Sequence, residues 1–594
     1  VHEVSVPSLY DCPAQVNVAD VVFDYAQRYP TEPAYARRID GAWHDVTFAE
    51  FAEDVLQLAR GLVAAGLKPG EHVGLMSHTR YEWGVIDFAV QAARGVVVPV
   101  YETSSEDQIE WILGSTDARF AFVENAELMR RVDGARPKLG ALDQVFLIED
   151  DALADLSAQG AEVPAERIAE LRAATAGQDD ATIVFTSGST GRPKGCRLTH
   201  ANLVSNARNA IGDLDTFIKP GSSTLLFLPL AHVFARIIQL GAFTARARVG
   251  HEADISALME RLAEFRPTFL LAVPRVFEKV YNSAEQKARG RLKAKLFDLA
   301  SRTAITWSRA KSTGSIPPHV RLLHAVLDRL VGAKLRDALG GRCAYSVSGG
   351  APLGERLGHF FRGVGIEVIE GYGMTETSPV AALNTPQHNK IGTVGRPIPG
   401  GTLRVADDGE LLVRGPNVFK GYWQNDDETA ATLRDGWLYT GDLAEIDAEG
   451  FVTITGRKKD LIVTAGGKNV APTVLEDRLR AHPLVSQCII VGDRRPFIGA
   501  LITLDVEMLS GWLADHGLPA MSPDEAMRNS DVRAGLQRAV DYANKAVSRA
   551  EAIRKFEVLP NDFTVEGGQL TPSLKLRRPA VLAEFADDID ALYG

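Results

Sequence analysis

The chain is short of cysteine, of long apolar runs and of net positive charge. Its 594 residues include four cysteines, Cys12, Cys196, Cys343 and Cys488. They lie far apart and lack metal-ligand spacing, so a reducing compartment is the simplest setting. No apolar run approaches the length of a membrane span. The opening Val1-His-Glu-Val-Ser5 has no apolar core of a signal peptide, and without methionine at position 1 it is not taken as the natural start. With 65 basic and 76 acidic residues the net charge is −11, which argues against a general nucleic-acid binder. Internal repeats and extended low-complexity tracts are absent. These features predict a soluble, cytoplasmic chain and leave peripheral membrane contact open.

What is present is ordinary globular material, 45% hydrophobic and 24% charged, in a chain long enough for two or more domains. Phe48, Phe51, Val55, Leu58, Leu62 and Val63 recur at helical spacing over 48–66. Apolar strands are expected at 72–76, 95–101, 120–123, 145–148, 225–228 and 269–273, with a helix over 80–93. Continuous apolar strands separated by helices imply a parallel sheet covered on both faces. Residues 283–340 read as a basic, alanine-rich helical insertion or cover with a solvated face, broken at Gly314-Ser-Ile-Pro-Pro318. After residue 390, short strands between glycine turns (409–415 and 450–456) suggest a compact β subdomain. A charged joint, Arg457-Lys-Lys-Asp460, precedes a small α/β unit with a helix over 471–481 and strands at 487–491 and 498–504. The expected fold is therefore α/β. A large N-terminal domain (1–456) with parallel-rich sheets contains the β subdomain at about 390–456; a hinge at 457–460 leads to a small mobile α/β domain (461–594).

One stretch stands out chemically: Thr186-Ser-Gly-Ser-Thr-Gly-Arg-Pro-Lys-Gly195. Hydroxyls and glycines packed this closely suit a backbone loop whose N–H groups, hydroxyls and one ammonium wrap around phosphates. The order is not that of a P-loop, because Lys194 follows Pro193 and precedes Gly195. A Ser/Gly linker is the plain alternative.

This loop is joined by Val347-Ser-Gly-Gly-Ala-Pro-Leu353, Glu370-Gly-Tyr-Gly-Met-Thr-Glu-Thr377, Tyr439-Thr-Gly-Asp442, Gly456-Arg-Lys-Lys-Asp460 and Thr571-Pro-Ser-Leu-Lys575. In order and spacing, over nearly the whole chain, the set resembles the AMP-forming acyl-CoA synthetases of the adenylate-forming superfamily. The resemblance implies ATP and CoA as substrates, and Mg²⁺. Thr186, Ser187, Gly188, Ser189, Thr190 and Lys194 would handle the β- and γ-phosphates. Tyr372, between Gly371 and Gly373, would pack on adenine, with Gly349, Gly350 and Ala351 lining that pocket. Thr375 would donate to the α-phosphate, and Glu376 would help hold the metal, a hard cation that prefers oxygen. Asp442, assisted by Arg457, would accept from the ribose hydroxyls. Lys575 would be the adenylation lysine, although Pro572-Ser-Leu574 stands where the family more often has a glycine. Plainer readings are a core tyrosine for Tyr372, a turn aspartate for Asp442 and a surface lysine for Lys575. Lys459 falls at the family's hinge position, and Gly466 and Gly467 would approach the pantetheine arm of CoA.

The length, the 283–340 segment and the Ser348–Leu353 form look most like long-chain fatty acyl-CoA synthetases. A long tail needs an apolar tunnel, since each buried methylene contributes about 0.8 kcal/mol. His232 and Phe234, in Pro229-Leu-Ala-His-Val-Phe-Ala235, fit a position beside the carboxylate and a tunnel gate. Three alternatives stand beside this reading: a fatty acyl-AMP ligase loading a carrier protein, an aryl- or medium-chain acid ligase, and a nucleotide-binding protein without turnover. The family includes homodimers, but nothing in the sequence marks an interface.

Overall fold

The computed structural model of the chain describes residues 2–186, 192–288, 291–466, 468–571 and 574–594. Five strands, Asp180–Thr186, Val96–Val100, His72–Met76, Phe120–Val123 and Gln144–Leu147, run parallel in that spatial order. Val96–Val100 is buried at every residue, as a strand covered on both faces must be. Lys194–Thr199 then turns back antiparallel to Asp180–Thr186, and Gly421–Tyr422 closes the seven-stranded sheet. Thr186 and Lys194, at the two ends of the Ser/Thr/Gly stretch, are therefore paired across adjacent antiparallel strands.

The later apolar runs do not extend this sheet. Ser223–Leu226 belongs to a four-stranded sheet with Arg248–His251, Pro33–Ile39 and Ala42–Thr47. Phe269–Ala272 opens a five-stranded sheet in which Tyr345–Ser348 and Glu367–Gly373 run parallel to it, Val380–Leu383 pairs antiparallel with Glu367–Gly373, and Arg396–Pro397 pairs antiparallel with Val380–Leu383 in turn. Apolar content predicts burial of a strand but not its partner, so one expected series becomes three sheets. Phe243, ringed by Tyr25, Phe48, Phe51 and Phe88, is part of the shared core.

The β subdomain is a six-stranded sheet built on Thr402–Val405, Glu410–Arg414, Trp437–Ile446 and Val452–Arg457. Its edge strand is Glu3–Ser5, with Glu3 opposite Arg404. The subdomain therefore recruits the start of the chain, beyond the expected 390–456. One 3₁₀ turn, Lys458–Asp460, follows Arg457. Beyond it Val485–Val491, Ile498–Leu504 and Ile553–Leu559 form a separate three-stranded sheet with its own core around Leu475, Leu479, Leu513 and Leu536. Helices Arg291–Ser312 and Pro318–Leu327 flank the expected break. The first packs on Glu355–Gly363 so closely that a Cβ on Gly363 would lie 2.3 Å from the Ala304 carbonyl oxygen.

Candidate active site

Open α/β sheets bind ligands beyond the carboxyl ends of their parallel strands. Here three such ends meet: Thr186, the turn after Ser348, and Tyr372-Gly373. They border a cavity of about 850 Å³, whose wall is completed by Asp442, Arg457, Lys459 and Lys575.

Asp442 is 4% exposed, unlike an ordinary turn aspartate. Arg457 lies across the strand pair from it, and its Nε donates to Asp442 Oδ1 at 3.0 Å. The Tyr372 hydroxyl donates to Oδ2 at 2.5 Å. Burial first, then the Asp442 charge, raises the Tyr372 pKa well above its usual value, so the phenol stays a donor. Glu410 stabilises the same corner: Oε1 accepts from the Gly441 amide (2.9 Å) and Oε2 from Lys458 (2.9 Å).

Glu376 is 8% exposed, and its Oε1 accepts from the Tyr422 hydroxyl at 2.7 Å. The described residues contain no cluster of three metal-ligating side chains. A single carboxylate fits magnesium, which keeps waters and phosphate oxygens as its other ligands. Lys194 also lines the cavity; its ammonium pairs with Glu428 and sits 5.5 Å over the Tyr422 ring. Its charge is therefore already partnered before any phosphate arrives.

Lys575 enters from the C-terminal domain and packs beside Gly350. It is exposed, but to the cavity it lines, with protein atoms crowded around it. That desolvation, followed by repulsion from Arg457, lowers its pKa to about 8, against the pull of Asp442 and Glu376. His232 caps the helix Val233–Thr244, its Nδ1 accepting from the Phe234 amide at 3.1 Å. The proton is thereby assigned to Nε2. Burial, with Lys575 nearby, lowers the His232 pKa to about 3, so the ring is neutral. A Cβ on Gly349 would lie 2.8 Å from the Phe234 ring, so the absence of a side chain there admits the aromatic. Beyond Phe234 the wall turns apolar with Ala207, Ile211, Leu214, Ile237 and Ile238.

Gly349, Gly350, Gly371, Gly373, Thr375 and Thr186 also line the cavity. Ala351, expected beside the first two, is exposed and outside the wall, because the chain turns away after Gly350. Gly466 is likewise outside: it sits in the turn joining Ile462–Val463 to Asn469–Val470. Ser187, Gly188, Ser189, Thr190 and Gly467 lie outside the described residues. Tyr422, Glu428, Glu410 and Lys458 are additions that sequence reasoning missed. The aromatic run Phe419-Lys-Gly-Tyr-Trp423 was the available signal for Tyr422.

Two domains, a nucleotide-sized cleft between them and an apolar arm define an adenylating type of enzyme. The family described as AMP-binding enzyme matches residues 22–423, and the AMP-binding enzyme C-terminal domain matches residues 459–594. The chain belongs to the AMP-binding enzyme family. It is 49% identical over its full length, and 99% of the relative's, to the long-chain-fatty-acid–CoA ligase FadD15 of Mycobacterium tuberculosis. It is 29% identical to long-chain-fatty-acid–CoA ligase 1 of Homo sapiens, covering 94% of this chain and 84% of that one. Among solved structures, the anthranilate CoA ligase AuaEII with anthranoyl-AMP shares the fold with a TM-score of 0.75 at 19% identity, over 97% of this chain and 98% of that one. A Mycobacterium tuberculosis fatty acyl CoA synthetase does so with a TM-score of 0.63 at 20% identity, over 96% and 99%. No helix among the described residues is long and apolar enough to cross a membrane.

Proposed function

We propose that this chain is an AMP-forming long-chain fatty acid–CoA ligase. A fatty carboxylate oxygen bonds to the α-phosphorus of ATP, the bond to the bridging oxygen breaks, and pyrophosphate leaves with the electron pair. The sulfur of CoA then attacks the acyl carbonyl carbon, AMP leaves, and the thiol proton passes to solvent. The observation that carries this reading is the entry of Lys575 into a cavity that holds the Asp442–Arg457–Tyr372 corner at one end and an apolar arm at the other. The full-length relatives named as long-chain-fatty-acid–CoA ligases support the same substrate class.

Asp442 offers acceptors to ribose hydroxyls, oriented by Arg457 and Tyr372. Lys194 and Lys575 supply positive charge where phosphate charge grows, the main resource for such a transfer. The Nε2–H of His232 is a neutral donor suited to an acyl oxygen. Magnesium, when bound, neutralises phosphate charge, and Glu376 is the carboxylate that would hold it. Lys458–Asp460 is the joint about which the small domain would turn to exchange Lys575 for the glycines at 466–467. Four free cysteines fit a reducing cytoplasm.

The test is product analysis from ATP, Mg²⁺, CoA and a mixture of fatty acids. AMP, pyrophosphate and long-chain acyl-CoA are expected. ADP with orthophosphate refutes the chemistry, and acyl-AMP that never passes to CoA refutes the acceptor.

A further inference from the structure

The helices Arg291–Ser312 and Pro318–Leu327, the second continued by the π-helical turn Asp328–Gly332, carry two apolar faces, and only one is covered. Phe297, Ala300, Ala304, Val320 and Leu327 point into the protein. Leu292 (84% exposed), Leu299, Leu322 (71% exposed), Leu323, Val326 and Leu330 point out. These are six of the sixteen exposed large apolar side chains among the described residues. Leu322, Val326 and Leu330 recur every fourth residue, and Leu292 and Leu299 are two helical turns apart. The helices pack side by side, with Trp307 of the first stacked on His324 of the second at 4.5 Å. The expected solvated face is present, and it carries an apolar stripe that the spacing did not single out.

Charge sets the partner. Between residues 283 and 340 the sequence has twelve Lys or Arg and four Asp or Glu, a net of +8 in a chain of net −11. Lys293, Lys295, Arg309, Arg321 and Arg329 are exposed and have no acidic partner among the described residues. Leucines between snorkelling cations match the boundary between acyl chains and headgroups, whereas a nucleic acid would leave the leucines uncovered. The rest of the chain carries a net −19 (−11 less the +8 of this segment), so the segment offers an anionic bilayer positive charge against an acidic background.

We propose that these two helices form a docking surface for anionic phospholipid bilayers, with the outward leucines in the interface and the cations on the headgroups. The test uses sedimentation with vesicles of phosphatidylcholine alone or mixed with phosphatidylglycerol. Two variants of the full chain are compared with wild type: Leu322→Ser/Val326→Ser/Leu330→Ser and Lys293→Gln/Lys295→Gln/Arg321→Gln/Arg329→Gln. Wild type should bind the phosphatidylglycerol vesicles in a salt-sensitive way, and each variant should lose at least about tenfold in affinity. Turnover of a water-soluble medium-chain acid should be unchanged in both, since none of these residues borders the cavity. Equal binding to the two vesicle types, or variants that bind like wild type, overturns the proposal. So does heparin retention without vesicle binding, and so does a wild-type dimer that the serine variant dissociates while vesicles go unbound.

Discussion

Replacing Arg275 with alanine should uncouple the two half-reactions. Arg275 lies at the start of the helix Pro274–Lys287 of the large domain, yet its guanidinium reaches the small domain. It donates to the Ser486 carbonyl oxygen at 3.3 Å and to Ser486 Oγ at 3.0 Å, and lies 3.9 Å from Asp505 Oδ2. Ser486 Oγ in turn donates to Asp562. The acceptor side is thus a socket with two carboxylates; burial first, then the Glu507 and Asp562 charges, raises the Asp505 pKa, while the Met508 amide and Arg275 lower it. Charge-assisted hydrogen bonds contribute about 1.5–3 kcal/mol, and partial exposure of this one argues for about 1–2 kcal/mol, or roughly 5- to 30-fold. That energy belongs only to the orientation in which Lys575 fills the cavity. If the two orientations interchange faster than either chemical step, the ratio of adenylation rate to thioester rate is proportional to their equilibrium constant. The ratio should therefore fall by the whole factor, wherever the equilibrium starts. Single-turnover pyrophosphate release without CoA gives one rate, and thioester formation from supplied acyl-adenylate gives the other. Arg275→Lys, which keeps charge but loses the planar fork, should fall between. A parallel loss of both rates, with the ratio unchanged, refutes the coupling.

Three other outcomes follow from the site and its supports. Because Lys575 of the free enzyme loses its proton near pH 8, kcat/KM for ATP in adenylation should fall about tenfold per pH unit above that point, and Lys575→Arg should remove the break; a flat wild-type profile through about pH 9.5 contradicts this. Asp87→Asn would leave Arg236 without its anionic partner, a buried pair whose bidentate bonds join two helices, and should lower stability by about 3–5 kcal/mol, read as a reduced urea midpoint; an unchanged midpoint refutes it. Gly349→Ala must displace the Phe234 ring at about 1–3 kcal/mol, raising KM for a long-chain acid with little effect on that for ATP; failure of Phe234→Ala to rescue it would show that the ring is not the cause.

The part of the site that could be read from sequence is the part whose chemistry demands a residue type. A ribose needs a carboxylate and an adenylation step needs a cation, so Asp442, Arg457 and Lys575 stand out in their motifs. Glu428, Tyr422 and Glu410 do not, because nothing in their neighbourhoods says that they will meet Lys194, Glu376 and the Gly441 turn. Their roles come from distant parts of the chain converging. The same limit governs the sheets. Phe269–Ala272 is legible as a strand from its composition, but its pairing with Tyr345–Ser348 spans an insertion of some seventy residues that leaves no local trace. Three residues at Glu3–Ser5 are too few for any period to show that they complete a sheet near residue 404.

The helical insertion shows why periodicity has a direction problem as well as a range problem. Apolar residues at helical spacing establish that a helix has an apolar stripe, and burial of that stripe is the natural inference. In Pro318–Leu327, Val320 and Leu327 form one stripe and Leu322 and Val326 another. A sequence pattern cannot rank the two, because both satisfy the same spacing. The structure ranks them by covering one, and the cations flanking the uncovered face then give it a chemistry that a core stripe would not carry. Where a helix is apolar on two sides and basic between them, the second face calls for a partner rather than a core.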